Sequence, residues 1–484
     1  MHISRRKRML LYSTRSRVSQ TTLALFDLIA FNLGPVFAAL LVTLLWGNLE
    51  AYIPSSEISS RLTAHLLLSV TCVAWFWTRL RHYTYRKPFW FELKEVLRTI
   101  MIFAVIDLAI VAFSKWHLSR YIWAFTWTAI LILLPFCRFV VKRLLNRLNL
   151  WKKQCIIIGA GANAADAFKA LKSEIELGFD IQYFFSCMPV EHKTRMFGLP
   201  VIDNERFLWR TTDRSNTHYV IALDDGQEKQ REYWIKRLAM HRCRAVSIIP
   251  TTRGLPLNST DMSFIFRHEV LILRINNNLT KKSARFLKRT FDLTVSLGIA
   301  LVLFPILLAI AFLIARDGGP PIYGHTRIGR NGEPFKCLKF RSMVTNSQEV
   351  LANLLASNPV IREEWEKDFK LKDDPRITRI GQFLRKTSLD ELPQLLNVLK
   401  GEMSLVGPRP VIMEELERYQ ENKEYYLMAK PGMTGLWQVS GRSDVDYDTR
   451  IYFDAWYVKN WSLWNDIVIL VKTVRVVFKR DGAY

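Results

Sequence analysis

The sequence is poor in cysteine. Six residues, Cys72, Cys137, Cys155, Cys187, Cys243 and Cys337, are scattered over 484 positions with no C-x-x-C pair. That scatter argues against a disulfide framework and against a thiolate zinc site; it fits reduced thiols in a protein facing the cytoplasm. Acid is also scarce. Asp and Glu total 44 against 68 Lys and Arg, a formal net charge of +24. An excess of this size calls for a polyanionic partner: nucleic acid, anionic lipid or a phosphate-bearing substrate. A third absence concerns the N-terminus, where no small-residue cleavage site follows the first apolar run, so that run reads as an uncleaved span.

Apolar residues are plentiful and gather in runs. They make up 50% of the chain, and 12% is aromatic, including 15 Trp. Four runs occupy the first third, roughly Thr22–Trp46, Ala64–Trp77, Ile100–Phe113 and Trp123–Val141. A bilayer core needs about 20 helical residues; the first run meets this, and the middle two do so with their aromatic flanks. Their presence turns the basic excess toward lipid and away from nucleic acid. Arg5, Arg6, Lys7, Arg8, Arg15 and Arg17 precede the first run, and Arg79, Arg81, Arg86 and Lys87 follow the second. Lys142, Arg143, Arg147, Lys152 and Lys153 follow the fourth. Positive flanks stay inside, so the N-terminus and everything after residue 150 are expected in the cytoplasm. Asp27 and Asp107 fall within runs, either as functional groups or as interhelix hydrogen-bond partners.

From Gln154 to about Ile275 the pattern becomes short β-rich runs alternating with helical stretches. The runs are Cys155–Ile158, Ile181–Phe185, Tyr219–Leu223, Ala245–Ile249 and Val270–Ile275. Such alternation predicts a parallel α/β domain. The first run ends in Gly159-Ala160-Gly161-Ala162-Asn163-Ala164, a G-x-G-x-x-A turn opening a helix, the context in which backbone N–H groups can meet a phosphate. Ser186 stands where the second strand of a dinucleotide site would end in an acid. A structural or regulatory Rossmann-like domain is therefore expected rather than a dinucleotide site.

Leu293–Ala315 is apolar for about 23 residues, with Pro305 in its middle and basic residues on both flanks. A fifth span would carry the last third across the membrane. A re-entrant helix broken at Pro305 would return it to the same side, and the basic flanks favour return. Asp292 and Ser296 are candidates to satisfy backbone freed by the proline.

The last third is dense in Gly, Pro, Arg and carboxylates. It contains Lys339-Phe340-Arg341-Ser342-Met343 and Asp374-Pro375-Arg376-Ile377-Thr378. Arg385-Lys386-Thr387-Ser388-Leu389-Asp390-Glu391-Leu392-Pro393-Gln394-Leu395 comes next. Then come Ser404-Leu405-Val406-Gly407-Pro408-Arg409-Pro410 and Lys430-Pro431-Gly432-Met433-Thr434-Gly435-Leu436-Trp437-Gln438, with Gly441-Arg442 close behind. Converging cations with a few acids suit phosphoryl transfer: cations neutralise the moving phosphoryl group, and a carboxylate binds Mg²⁺ or attacks phosphorus. Taken alone, Asp390-Glu391 also fits the acidic first turn of a helix capped by Thr387-Ser388.

Together these motifs strongly resemble the bacterial polyprenyl-phosphate hexose-1-phosphate transferases, the large monotopic-type phosphoglycosyltransferases. The resemblance covers nearly the whole chain and is most specific from Lys288 to Tyr484. It implies a membrane protein of three parts: a four-helix transmembrane bundle (1–150), a Rossmann-like α/β domain (151–280) and an α-rich catalytic domain (281–484). The catalytic part would include a Pro-broken re-entrant membrane helix over 288–316. It implies transfer of a hexose-1-phosphate, galactose before glucose, from a UDP-sugar to undecaprenyl phosphate in O-antigen, capsule or exopolysaccharide assembly. By resemblance Asp390 attacks the β-phosphate, releases UMP and carries the phospho-sugar. Glu391 assists, and Mg²⁺ is held chiefly by Asp390. Lys339, Arg341, Arg385 and Arg409 fall at phosphate-binding positions, and Gln438 and Arg442 at nucleotide- or sugar-binding ones. The expected site of action is the bacterial inner membrane with the catalytic domain facing the cytoplasm, and a homodimer through the middle domain is expected.

Two other classes remain to be separated from this one. A membrane regulator sensing nucleotides through Gly159–Ala164 would not depend on Asp390 or Arg409. A nucleotide-sugar dehydratase or epimerase needs Tyr-x-x-x-Lys in the Rossmann domain, and none of Tyr183, Tyr219 and Tyr233 has Lys four residues on. The stretch Ala455–Phe478, with Trp456, Trp461 and Trp464, suits either the headgroup layer or a buried core helix.

Overall fold

A computed structural model describes residues 5–479 apart from 118, 188–194, 215, 252–259, 266–269, 276–277, 317, 358–361, 363–373 and 442–445. The chain divides into two compact units, Met1–Arg253 and Gly254–Tyr484.

Four long helices open the first unit: α1 (Arg5–Trp46), α2 (Ser55–Thr78), α3 (Phe89–Phe113) and α4 (Arg120–Arg147). Pro54 and Pro88 start α2 and α3, where a missing N–H costs nothing. All four helices contribute to one core, with Leu23, Phe31, Phe76, Ile100, Phe103, Ile130 and Leu134 buried in it. Their other faces leave Leu, Val and Phe exposed, and each helix is long and apolar enough to cross a membrane.

The acids inside the runs pair with neighbouring helices. Asp27 accepts from Arg138 of α4 (Nε to Oδ1 2.9 Å, Nη2 to Oδ2 2.6 Å) and from the Tyr83 hydroxyl at 2.6 Å. Arg138 also donates to Glu92 at 3.1 Å, and Lys142 pairs with the same carboxylate. His82 and Lys87 meet on Glu95, at 2.8 and 2.6 Å. Each charge has an opposite neighbour, the condition under which burial is tolerable. Asp107 accepts from the Trp127 indole at 2.9 Å. These are the interhelix partners that the sequence left as one of two options.

The helical part joins the α/β domain without slack. The Arg86 guanidinium stacks 3.3 Å from the centre of the buried Trp151 ring, whose indole donates to Glu176 O at 2.9 Å. Beyond it lie β1 (Lys153–Ile158), α5 (Ala162–Ser173), β2 (Phe179–Phe185), β3 (Arg195–Met196), β4 (Leu199–Ile202), α6 (Glu205–Thr211), β5 (His218–Ile221), α7 (Glu228–Met240) and β6 (Ala245–Ile248). The sheet order is β3-β4-β2-β1-β5-β6, parallel except for β3. The Rossmann-like expectation is met in this order.

One expected strand belongs elsewhere. Val270–Ile275 (β8) does not join the parallel sheet; it pairs antiparallel with β7 (Thr260–Ile265). Its nearly continuous apolar run, Val270-Leu271-Ile272-Leu273-Arg274-Ile275, is what a buried parallel strand would also show.

The second unit continues with α8 (Lys282–Ala315), which stays helical through Pro305. Pro305 thus marks a lost hydrogen bond and not an end of the helix, since neighbouring turns hold the conformation. Asp292 and Ser296 do not reach that gap. Asp292 accepts from Ser404 Oγ at 2.8 Å and Leu405 N at 3.3 Å, and Ser296 donates to Leu293 O. The first half of α8 packs Val295 and Ile299 into the core around Leu395, Val398, Leu405, Tyr457 and Trp461. The second half packs Ile310 and Ile314 against Phe340 and Leu384. Between them Leu301, Val302 and Phe304 are exposed. Near the end of the chain, Trp461 and Ile469 are buried, as the core-helix option expects, while Val471, Val474 and Val477 of the same last helix are exposed.

Candidate active site

The strands β9 (Ile322–Ile328) and β10 (Pro334–Phe340) form an antiparallel hairpin that sets Lys339 opposite Tyr323. Past β10 the chain meets Asp374–Thr378: Val344 N bonds to Arg376 O and Thr378 N to Ser342 O. Thr378 then caps the helix Arg379–Thr387, accepting from Gly381 N at 2.9 Å. Gly381 has to be glycine, because a Cβ there would overlap Ser342 O. That close approach brings Arg385 Nε to Ser342 Oγ at 3.0 Å.

The helix stops at Ser388, which adopts the left-handed conformation at φ 57°. Leu389–Glu391 is a 3₁₀ turn, and the next helix is Gln394–Lys400. Asp390-Glu391 is therefore not the first turn of an α-helix capped by Thr387-Ser388, and Ser388 makes no side-chain cap. With about three residues per turn, the two carboxylates point roughly 120° apart.

Their surroundings divide them. Glu391 accepts from Lys339 Nζ at 2.7 Å, with the two side chains 36% and 28% exposed. Asp390 has no cation at ion-pair distance among the described residues. Burial pushes its carboxyl above the usual range, against Lys339, and neighbouring Glu391 adds to the rise. Burial would lower Lys339, but Glu391, with help from Asp390, outweighs it and holds the ammonium above its ordinary value. The result is one carboxylate neutralised and one left available.

Not every expected cation converges here. Lys339 and Arg385 flank the carboxylates. Arg341 donates to Ile314 O at 3.0 Å and Gly319 O at 3.4 Å, holding the end of α8. Arg409 lies 5.6 Å over the ring of Trp437, and Gln438 is the next residue on the helix Leu436–Ser440. Arg442 lies outside the described residues.

Several supports escaped the sequence reading. Asn397 donates to Lys336 O at 2.8 Å and accepts from Leu338 N at 3.0 Å, locking the carboxylate-bearing segment to β10. Lys288 of α8 bonds Asp466 at 2.8 Å and Val406 O at 3.1 Å, and Arg289 caps Val398 O and Leu399 O. Behind the Pro408-Arg409-Pro410 loop, Asp454 accepts from the Tyr419 hydroxyl at 2.8 Å and Arg409 N at 3.4 Å. Its burial lifts that carboxyl to about 7. Only the arginine spacing around these residues was visible beforehand; their partners are distant in sequence.

The model of the bacterial sugar transferase family matches residues 283–480, the segment containing all of this geometry. A UDP-galactose-lipid carrier transferase of Erwinia amylovora is 59% identical over 98% of this chain and 99% of its own length. The chain belongs to the bacterial sugar transferase family. An undecaprenyl-phosphate galactose phosphotransferase of Salmonella typhimurium is 57% identical to this sugar transferase over 96% of the chain and 97% of the relative. A UDP-glucose:undecaprenyl-phosphate glucose-1-phosphate transferase of Escherichia coli is 39% identical over 41% of this chain and 42% of the relative. A second family model, described as a CoA-binding domain, matches residues 81–238 of the sugar transferase.

Proposed function

We propose that this sugar transferase moves galactose-1-phosphate from UDP-galactose to undecaprenyl phosphate, with Asp390 as nucleophile. One observation carries the mechanism: Lys339 neutralises Glu391 and leaves Asp390 unpaired beside Arg385. A carboxylate raised by burial is a stronger base and nucleophile than a free one. An Asp390 oxygen attacks the β-phosphorus, the bond from that phosphorus to the bridging oxygen breaks, and UMP leaves with the electron pair. An oxygen of undecaprenyl phosphate then attacks the same phosphorus and the Asp390 carboxylate departs. Lys339 and Arg385 offset the negative charge in both steps. The galactose assignment rests on the two nearly full-length relatives, whereas the glucose enzyme matches over less than half its length.

Magnesium fits this set. Asp390 would chiefly hold it, completed by substrate phosphates and water, a usual Mg²⁺ arrangement. When bound it supplies Lewis-acid polarisation of the phosphoryl oxygens. We further propose that α8, bending at Pro305 without losing its helical run, dips into the cytoplasmic leaflet of the inner membrane and returns. In support, both of its halves pack within one compact unit, while its middle exposes Leu301, Val302 and Phe304. A homodimer would use the middle domain, whose edge strand β6 exposes Val246 and Ile248. Light scattering in detergent tests that stoichiometry.

The deciding experiment incubates membranes with UDP-galactose labelled in the β-phosphate. UMP release, label on the lipid and, before acceptor is added, label on the protein are expected; Asp390→Asn should lose all three. Full turnover in that variant rejects the mechanism.

A further inference from the structure

The sheet order of the middle domain reverses between β1 and β5, the crevice where doubly wound folds take their ligands. The glycine-rich turn Gly159–Ala164 stands at that crevice, and α5 opens there, a helix start of the kind that suits a phosphate. The phosphate's place is already filled. Asp224, in the loop after β5, accepts from Asn163 N at 2.8 Å through Oδ1. Its Oδ2 occupies the space into which a Cβ on Gly161 would project. The Asn163 side chain donates to Leu223 O at 3.0 Å and Ile249 O at 2.9 Å, tying the start of α5 to the strand ends across the crevice.

The two glycines then need no ligand to explain them. Gly159 has φ +136° and faces Ala222 O so closely that any side chain would clash. Gly161 leaves room for the Asp224 carboxylate, which a Cβ at that position would have to push aside. At the end of β2, where a ribose would find its acid, Ser186 N instead bonds Ile202 O at 2.8 Å and continues the β2–β4 pairing. These residues do not fit CoA, whose phosphates would meet a carboxylate of like charge in the same space.

We propose that the middle domain is self-liganded: the Asp224 carboxylate occupies the phosphate seat, and neither CoA nor a dinucleotide binds at this turn while it is there. Full-length protein in detergent is titrated with CoA, NAD⁺ and inorganic pyrophosphate, following binding by equilibrium dialysis and unfolding temperature by intrinsic fluorescence. The wild type should bind none of the three at Gly159–Ala164. Asp224→Ala should bind pyrophosphate about tenfold more tightly than wild type or better, the equivalent of about 1.4 kcal/mol. Wild-type binding of CoA or NAD⁺ that Gly161→Val abolishes overturns the proposal, as does a folded Asp224→Ala that gains nothing. A second measurement needs no ligand. Gly161→Ala should lower the unfolding temperature in wild type and lower it clearly less in an Asp224→Gly background. Equal losses in the two backgrounds overturn the contact on which the proposal stands.

Discussion

The turn after β1 and the 3₁₀ turn at Leu389–Glu391 both gather charge where a phosphate could sit, and they use that charge differently. At the first, an internal carboxylate meets the helix start and closes the set. At the second, Lys339 satisfies only Glu391, and Asp390 remains over. The helical bundle resembles the first case, since Asp27, Glu92 and Glu95 are matched by Arg138, Lys142 and Lys87. A closed set serves stability and an unclosed one is available for chemistry. The better-known glycine motif is thus the less informative of the two turns.

This contrast can be broken by single substitutions. Asp390→Asn should reduce lipid-linked product by about 10³-fold or more, some 4 kcal/mol of barrier, with little change in unfolding temperature. Asp224→Asn should leave transfer within about twofold, because its carboxylate touches no reacting group; equal losses in the two variants would erase the distinction. Asp27→Asn should cost about 2 kcal/mol of stability by taking one of Arg138's two carboxylate partners and leaving Glu92 alone to it, read as a lower midpoint of unfolding in detergent. Lys339→Met should slow transfer by roughly 30–100-fold, about 2–3 kcal/mol, and move the optimum pH upward, because Lys339 is the cation that lowers the Asp390 carboxyl.

The smallest effects are in pH dependence, and their signs differ between units. Burial, then Arg138, hold His82 at about 4 against an ordinary 6.5, while Glu92 and Glu95 oppose them. The unfolded chain therefore binds the extra proton, and stability from this group falls as pH drops from about 6.5 toward 4. Asp454 is the reverse, lifted from 3.8 to about 7 by burial. Folded protein keeps a proton there that unfolded protein releases, so its contribution falls as pH rises through about 4 to 7. Comparing unfolding temperature against pH for wild type, His82→Asn and Asp454→Asn should show each variant flattening one slope. A shared sign would refute the assignment.

Much of this was legible in the sequence, for local reasons. The apolar runs that became α1–α4 exceed what a soluble helix needs, and the strand–helix alternation from Gln154 announced a parallel sheet. The Asp390-Glu391 motif was readable because Arg385 stands just before it and because the ordered series of motifs resembles a known family. What failed was non-local or conformational. Ser388 in the left-handed region cannot be told from a cap by composition, yet it converts an expected α-helical start into a 3₁₀ turn. Arg341 reads as a phosphate ligand until the carbonyls of Ile314 and Gly319 are brought to it by the fold. Asp224-Asp225-Gly226 looks like any polar turn, and its partner Asn163 is 61 residues away.

The anchoring of α8 has a consequence for how the protein is made. Lys288 finds its carboxylate on Asp466, 178 residues later in the chain. At about 5–20 residues per second, roughly 10–40 s separate their emergence from the ribosome. Through that interval a long apolar helix exists without the domain that will hold it, and Lys288 has only Asp292, one turn on at 3.9 Å, as a carboxylate neighbour. α8 is long and apolar enough to cross a membrane, so the expected order is insertion first and assembly of the rest of the unit on it afterwards. Truncation before Asp466 should therefore yield chains that still reach the membrane but remain open to protease over residues 320–460.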